Sequence, residues 1–288
     1  MRLVYYRSDP PNVGDALNAW MWPELLPGHW SENPNDTAFL GIGSILAPGY
    51  TDQVKRGLVF GSGARGLRHR PHLHCDKWDI RFVRGPLTSK LLGGVPYITD
   101  PAVLAPLVSS SAKPTPHNRV VKGRIGFVPY YKTPPALVRS ACHETGLHLI
   151  SPSLEPSAFI AQLRSCEAVV AEAMHGAILA DSFRVPWRGI RLCAPWFEGP
   201  TARFKWFDWL DSLHISRRAI GNLPAFNWLP SRLRHRLLLI PSDAQAIHSI
   251  THLVAEKRWF LSDGGLLANA QDKILTQLSP LKLSLSAW

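Results

Sequence analysis

Short apolar runs recur along the chain, each ending in a turn rich in glycine, proline or serine that opens into a segment with helical spacing. The clearest is Ala168-Val-Val-Ala-Glu-Ala-Met-His-Gly-Ala-Ile-Leu-Ala-Asp181. Ala168 to Ala171 is uninterrupted apolar chain of the kind that forms a strand buried on both faces, and Met174 to Phe183 reads as a helix rich in small residues. His175 therefore falls at a strand-to-helix turn. In an open α/β sheet such turns line the carboxyl edge, where ligands bind and where the first N–H groups of a helix favour an anion. A histidine that merely caps the helix is the competing reading.

The same pattern covers the first third of the chain. Leu3 to Tyr6 predicts a strand, and Pro10-Pro-Asn-Val-Gly-Asp15 holds the first helix back to Ala16–Leu26 with Asp15 as its cap. Asn12, Gly14 and Asp15 then stand at a second strand-to-helix corner. Thr37 to Ile42 and Gly57 to Phe60 predict strands running into Gly41-Ile-Gly-Ser44 and Gly61-Ser-Gly63, where glycine lets backbone amides approach a ligand. Trp78 to Arg84 alternates as a strand, and Pro86 opens a helix to Leu92. Arg84, at a strand's carboxyl end, suits a carboxylate or phosphate held by the guanidinium fork, or else a surface ion pair. Tyr97 to Asp100 reads as one more strand, stopped by Pro101.

Ser109 to Asn118 is polar and proline-bearing and reads as a linker, which sets a domain boundary near residue 115. Alternation then resumes: strand Arg124–Pro129, helix Pro135–Thr145 closed by Gly146, strand Leu147–Ile150, helix Pro156–Arg164 and, beyond His175, strand Trp187–Leu192. Trp196 to Leu213 gathers Arg203, Lys205, Trp206 and Trp209. Ser242-Asp-Ala-Gln245 has capping-box spacing ahead of Ile247, Ile250, Leu253 and Val254. The expectation is an α/β chain of two Rossmann-like domains with parallel sheets, residues 1–115 and 116–240. A C-terminal helical segment, 241–288, packs back on them. Leu266 to Trp288 carries no readable pattern.

Composition narrows the chemistry. The 288 residues are 45% hydrophobic, enough for real cores, and carry 25 prolines and 11 tryptophans. A formal charge of +11 predicts anionic partners: nucleic acid, anionic lipid or a phosphorylated small molecule. The basic residues are scattered and only Arg232-Leu-Arg-His-Arg236 resembles a patch, so no nucleic-acid partner is expected. The four cysteines are far apart and read as reduced thiols. His69, His72, His74 and Cys75 fit no metal-site spacing and read as a solvated loop. The start has too short an apolar run for a signal peptide and no run is long enough to span a membrane, so a cytoplasmic protein is expected, with peripheral contact at the inner membrane open to a basic, tryptophan-rich surface.

Taken together, Asn12-Val-Gly-Asp15, Gly41-Ile-Gly-Ser44, Phe60-Gly-Ser-Gly63, Val83-Arg-Gly-Pro86 with Ser89, Thr99-Asp-Pro101 and Met174-His-Gly176 resemble, in order over residues 1 to about 215, the polysaccharide pyruvyl transferase family. Its members of this kind add pyruvate ketals to exopolysaccharides of the xanthan and succinoglycan type. The resemblance implies a fold similar to the GT-B glycosyltransferase arrangement with the active site in the interdomain cleft. It implies phosphoenolpyruvate as donor, a lipid-linked oligosaccharide as acceptor and no cofactor or metal. The family's active-site histidine falls on His175 and its donor-binding arginine on Arg84. Several relatives carry an arginine directly after Met-His, where this chain has Gly176, so a second cation must come from elsewhere; Arg65, Arg203 and Lys205 are the candidates. With Asn12, Gly14, Gly43, Ser44, Gly61, Ser62 and Gly63, they make up the expected substrate-binding set. His175 would move the proton or bind the leaving phosphate. Glu172 or Asp15 would act as base toward the sugar hydroxyl, unless Glu172 orients His175. Trp196, Trp206 and Trp209 are candidates for stacking on a sugar. A glycosyltransferase using a nucleotide sugar is the competing enzyme on this architecture.

Overall fold

A computed structural model describes residues 1–73, 76–108, 120–221 and 242–283. The linker reading at Ser109–Asn118, His74 and Cys75, and the basic run Arg232–Arg236 lie outside the described residues. The chain divides into two compact units, one of Met1–Lys113, Phe204–Ile215 and Ser262–Trp288, the other of Pro114–Arg203 and Ser216–Leu261. Each is built on an all-parallel sheet, the Rossmann-like arrangement that alternating strands and helices predict.

In the first unit the strands β1 (Arg2–Val4), β2 (Ala38–Leu40), β3 (Gly57–Phe60) and β4 (Trp78–Phe82) lie in sequence order. β2 and β3 are wholly buried, as their unbroken apolar runs require, while edge strand β4 buries Trp78 and Phe82 and exposes Asp79. Gly57 faces the Trp78 indole so closely that a Cβ would lie 2.1 Å from its ring. Trp22, Phe39, Phe60 and Phe82 form a chain of ring contacts with centroids 4.8–5.6 Å apart, an aromatic core for this unit.

The first helix, α1 (Val13–Leu25), starts earlier than the prolines predict. Asn12, not Asp15, is its cap: the Asn12 side-chain oxygen accepts the Asp15 N–H at 3.2 Å, which places Gly14 and Asp15 inside the first turn. Tyr97–Asp100 is not a strand either. Tyr97 makes one isolated bridge to Val83, and Asp100 then caps a 3₁₀ segment over Pro101–Leu107, where two prolines remove ladder donors. The unit also contains α2 (Pro48–Thr51), α3 (Pro86–Leu91), most of α8 (Pro200–Ser212) and, from the stretch without readable pattern, the 20-residue α10 (Gly264–Leu283). Leu267, Ala270, Ile274 and Leu278 of α10 are buried on one face, and Gln271 donates to the Val103 carbonyl at 2.7 Å.

The second unit orders its strands β6 (His148–Leu149), β5 (Ile125–Val128), β7 (Ala168–Ala171), β8 (Trp187–Ile190) and β9 (Ile220–Gly221). Helix α4 (Pro135–Thr145) closes on Gly146 in the left-handed conformation, α5 covers Pro156–Arg164 and α6 covers Met174–Ser182, all as the sequence predicts. A short helix, α7 (Ala194–Glu198), follows β8. The capping box at Ser242 and Gln245 opens α9 (Asp243–Ala255), whose Ala246, Ile250 and Leu253 share one core with Leu137, Val138 and Ala141 of α4. Cys142 is half-buried and Cys166 and Cys193 are buried, all free; burial, with the Glu172 charge nearby, pushes the Cys193 thiol up to about 12.

One buried carboxylate organises the loops of each unit. Glu172, 1% exposed, accepts from the Tyr130 N–H at 3.0 Å and the Thr133 hydroxyl at 2.6 Å through one oxygen, and from the Cys193 and Ala194 N–H groups at 2.5 and 2.9 Å through the other. It thereby ties together the chain leaving β5, β7 and β8. In the first unit Asp208 accepts from Arg84 Nε at 3.1 Å, from the Thr88 N–H at 2.9 Å and from the Thr88 hydroxyl at 2.6 Å, with Arg84 and Asp208 fully buried. Glu172→Gln leaves buried N–H donors facing an NH₂ group, so chemical denaturation should show the second unit weakened by at least about 2 kcal/mol; wild-type stability would contradict the tying role.

Candidate functional site

The residues singled out in the first unit gather at the carboxyl edge of its sheet, but the structure divides them by role. Arg84 is neither exposed nor in a surface pair. Its Nη1 donates to Ser44 Oγ at 2.8 Å and its Nη2 reaches the Ala64 carbonyl at 3.4 Å, while Asp208 holds Nε. The guanidinium lies over Gly63, where a Cβ would sit 2.2 Å from Arg84 Cζ. Gly61, at φ +98°, yields to Pro101 in the same way, and Gly41 to the Trp22 indole. The Gly61 and Gly63 N–H groups donate to the Phe82 and Gly43 carbonyls, both at 2.9 Å, and the buried Ser62 hydroxyl donates to the Gly41 carbonyl at 2.7 Å. These groups serve the fold, so the glycine turns are tight because internal side chains and backbone press against them.

Gly43 differs. At φ +121° its Cβ direction meets nothing nearer than Ile45 Cγ2 at 3.7 Å and an Asp15 oxygen at 3.9 Å. Asn12 Nδ2 donates to Asp15 Oδ2 and, at 2.9 Å, to Ser8 Oγ. Asp15, Arg65 and Tyr6 act electrostatically on Tyr50, whose hydroxyl is raised above its usual range chiefly by burial. Asn12, Asp15, Gly43, Tyr50 and Arg65 are thereby brought into one neighbourhood. Tyr50 carries no sequence signal, because it lies in a one-turn helix rather than at a strand end. Gly14 is buried within the first turn of α1. Lys205, also in this unit, is half-buried on α8.

In the second unit His175 is half-buried and is the second residue of α6, directly beyond β7. The cap of α6 is Ala173, without a side-chain hydrogen bond, so His175 does not cap the helix. Glu172, three residues earlier, has both oxygens committed to four donors, which leaves it no lone pair in position to take a proton from a hydroxyl. Its place is as a structural anchor rather than a base. Gly176 packs on Val128, with a Cβ only 2.8 Å from that side chain, so this backbone has no room for an arginine after Met-His.

Sequence patterning extends β8 to Leu192, but the strand ends at Ile190. Arg191 therefore emerges at the carboxyl edge, a functional candidate the sequence hid inside a strand. Burial lowers its pKa, and Arg203 lowers it further. Trp206 and Trp209 are fully buried, which removes them as sugar-stacking surfaces, whereas Trp196 is half-buried against the core of the second unit. Aromatic surface at this edge comes instead from half-buried Tyr131 and from Phe197, which is 45% exposed; the ring of buried Tyr130 meets that of Tyr131 at 4.7 Å beneath them.

Comparison with known proteins covers the same stretch. A family model described as polysaccharide pyruvyl transferase matches residues 33–192, more than half of the chain, and its span contains Gly43, Arg84, Glu172, His175 and Arg191. The succinoglycan biosynthesis protein ExoV of Rhizobium meliloti (strain 1021) is 37% identical over 222 residues. That alignment covers 76% of this chain and 66% of the relative, so the chain matches just under two thirds of that protein's length. No solved structure matches the chain. On that matched span the chain belongs to the polysaccharide pyruvyl transferase family.

Proposed function

We propose that the protein transfers the pyruvyl group of phosphoenolpyruvate to a saccharide, forming a pyruvate ketal and releasing phosphate. The observation that carries this reading is the position of His175, at an uncapped helix N-terminus on the carboxyl edge of a parallel sheet, within the matched span of a pyruvyl transferase. Such a position combines the first N–H groups of a helix, which favour an anion, with the side chain that titrates nearest neutral pH.

The chemistry sets the roles. A proton added to the methylene carbon turns it into a methyl group and leaves positive charge on the central carbon. One sugar hydroxyl attacks that carbon and the C–O bond to phosphate breaks. A second hydroxyl closes the ketal, so two hydroxyl protons are released, one balancing the new methyl hydrogen and one leaving with phosphate. In this reading His175 moves the proton. Asp15 takes the hydroxyl proton, since Glu172 is committed to holding the loops. Arg84 binds the donor by exchanging its Ser44 contact and its long contact to the Ala64 carbonyl for donor oxygens, while Asp208 keeps Nε in place. Gly43, Arg65 and Asn12 border that position.

A lipid-linked oligosaccharide is the acceptor in this reading, approached from the cytoplasmic side, with basic surface residues meeting anionic lipid. No helix among the described residues is long and apolar enough to cross a membrane. A ring of the acceptor would rest on Phe197 and Tyr131.

His175→Ala should lower turnover by at least about a hundredfold with its melting temperature unchanged, measured as phosphate released from phosphoenolpyruvate in the presence of acceptor; near-normal turnover would remove His175 from the chemistry. Arg84→Lys keeps the charge but loses the fork. Its stabilisation by phosphoenolpyruvate in a thermal-shift titration should require at least about tenfold more ligand. An unchanged titration, or stabilisation by a nucleotide sugar in place of phosphoenolpyruvate, would contradict the reading.

A further inference from the structure

Asn12 does two things for Asp15, and capping a helix needs only one of them. Its Oδ1 accepts the Asp15 N–H at 3.2 Å, the bond that starts α1. Its Nδ2 donates to Oδ2 of the Asp15 carboxylate and, at 2.9 Å, to Ser8 Oγ. Chemistry fixes which end of the amide is which, because a backbone N–H only donates and a carboxylate only accepts. The two ends of one planar group thus grip the backbone and the side chain of the same residue. α9 shows the ordinary arrangement: Gln245, at the same helical position, folds back to accept from the backbone N–H of its cap Ser242 at 3.0 Å. In α1 the cap's side chain takes hold of the carboxylate instead.

The next turn of α1 is fastened to the loop beyond β2. Asn18, fully buried, donates from Nδ2 to the Asp15 carbonyl at 3.2 Å and to the Ile42 carbonyl at 3.1 Å. Its Oδ1 accepts from the Ile42 N–H at 3.0 Å and from Trp22 Nε1 at 3.1 Å. Gly43 follows Ile42 directly, and its Cβ direction points to Asp15 Oδ1 at 3.9 Å. The carboxylate is therefore divided: Asn12 holds Oδ2, and Oδ1 lies toward the glycine turn. Tyr6, Tyr50 and Arg65 are the ionisable groups that share this neighbourhood.

We propose that Asn12 is a positioning residue, one that holds Oδ2 of Asp15 so that Oδ1 meets the sugar hydroxyl, which rests on Asp15 being the base in the proposed reaction. The hydroxyl proton passes to Oδ1 as the sugar oxygen bonds to the central carbon of the donor. Donation from Nδ2 favours the charged carboxylate, the form able to take that proton. Aspartate and serine cap a helix as well as asparagine does, but only asparagine accepts from the backbone and donates to the carboxylate through one rigid amide. That amide is spent on Asp15 and Ser8, so Asn12 acts through Asp15 and not by binding the donor.

The test uses Asn12→Ser and Asn12→Asp, which keep a good cap, beside Asp15→Asn. Both Asn12 variants should melt with wild type. Asn12→Ser loses the grip on Oδ2, and its kcat should fall at least about tenfold while KM for phosphoenolpyruvate stays the same. Asn12→Asp sets a second carboxylate against Asp15, so the acid limb of its pH–rate profile should move to higher pH by at least about one pH unit. A carbon-13 titration of the Asp15 carboxyl, which needs no substrate, should move the same way. An unmoved titration in Asn12→Asp overturns the proposal and leaves the base reading standing if Asp15→Asn is inactive. Wild-type turnover by Asp15→Asn overturns both, even where the titration shows that Asn12 grips the carboxylate. A sharp fall in melting temperature in both Asn12 variants makes Asn12 a structural residue and also overturns the proposal.

Discussion

The Glu172 carboxylate is the constraint on which the second unit depends. A parallel sheet ends in loops whose N–H groups have no strand to pair with, and leaving them unpaired in a buried position is costly. Here one carboxylate accepts from three of those N–H groups and a hydroxyl, and the loops after β5, β7 and β8 all meet at it. Because β7 leads directly into α6, fixing Glu172 also fixes where α6 begins and so where His175 stands in its first turn. The same bonds end β8 at Ile190 and place Arg191 outside the sheet. The position of the chemical groups is a consequence of how backbone donors are satisfied.

The first unit reaches the same end with a buried ion pair. Arg84 and Asp208 are fully buried, and such a pair holds only when both partners are fully hydrogen-bonded. Asp208 also anchors Thr88 in the first turn of α3, so one side chain on α8 fixes both the arginine and the helix that follows it. Gly63 and Gly85 are glycines for this reason: a Cβ on the first would strike the guanidinium and on the second the Asp208 backbone. The remaining contacts of this rigid arginine are one serine hydroxyl and one long bond to a carbonyl, the two that donor binding would replace under the proposed function.

What the sequence discloses follows from range. The run Ala168–Ala171 is apolar without interruption, and proline at the start and glycine at the end bound Pro135–Thr145; these signals are local, and strand, helix and the placement of His175 follow from them. Asp208 is 124 positions from the arginine it holds, and the donors to Glu172 come from up to 42 positions away, so neither role has a local signature. The glycine turns give the right loops for a different reason, since pattern cannot tell a glycine pressed by Trp22 from one that makes room for a ligand. Arg191 was hidden because Leu192 and Cys193 continue the apolar run of β8. The last helix keeps its spacing at Leu267, Ala270, Ile274 and Leu278, but two leading glycines and Pro280 obscure it.

Pyruvyl transfer is the proposal on which the roles given to His175 and Arg84 rest. The most direct measurement is nuclear magnetic resonance of an oligosaccharide acceptor after incubation with the protein and phosphoenolpyruvate labelled with carbon-13 at its methylene and central carbons. Pyruvyl transfer predicts a labelled methyl carbon and a labelled quaternary ketal carbon on the sugar, with one phosphate released for each. Label confined to free pyruvate, or an acceptor modified only when a nucleotide sugar is supplied, would contradict it.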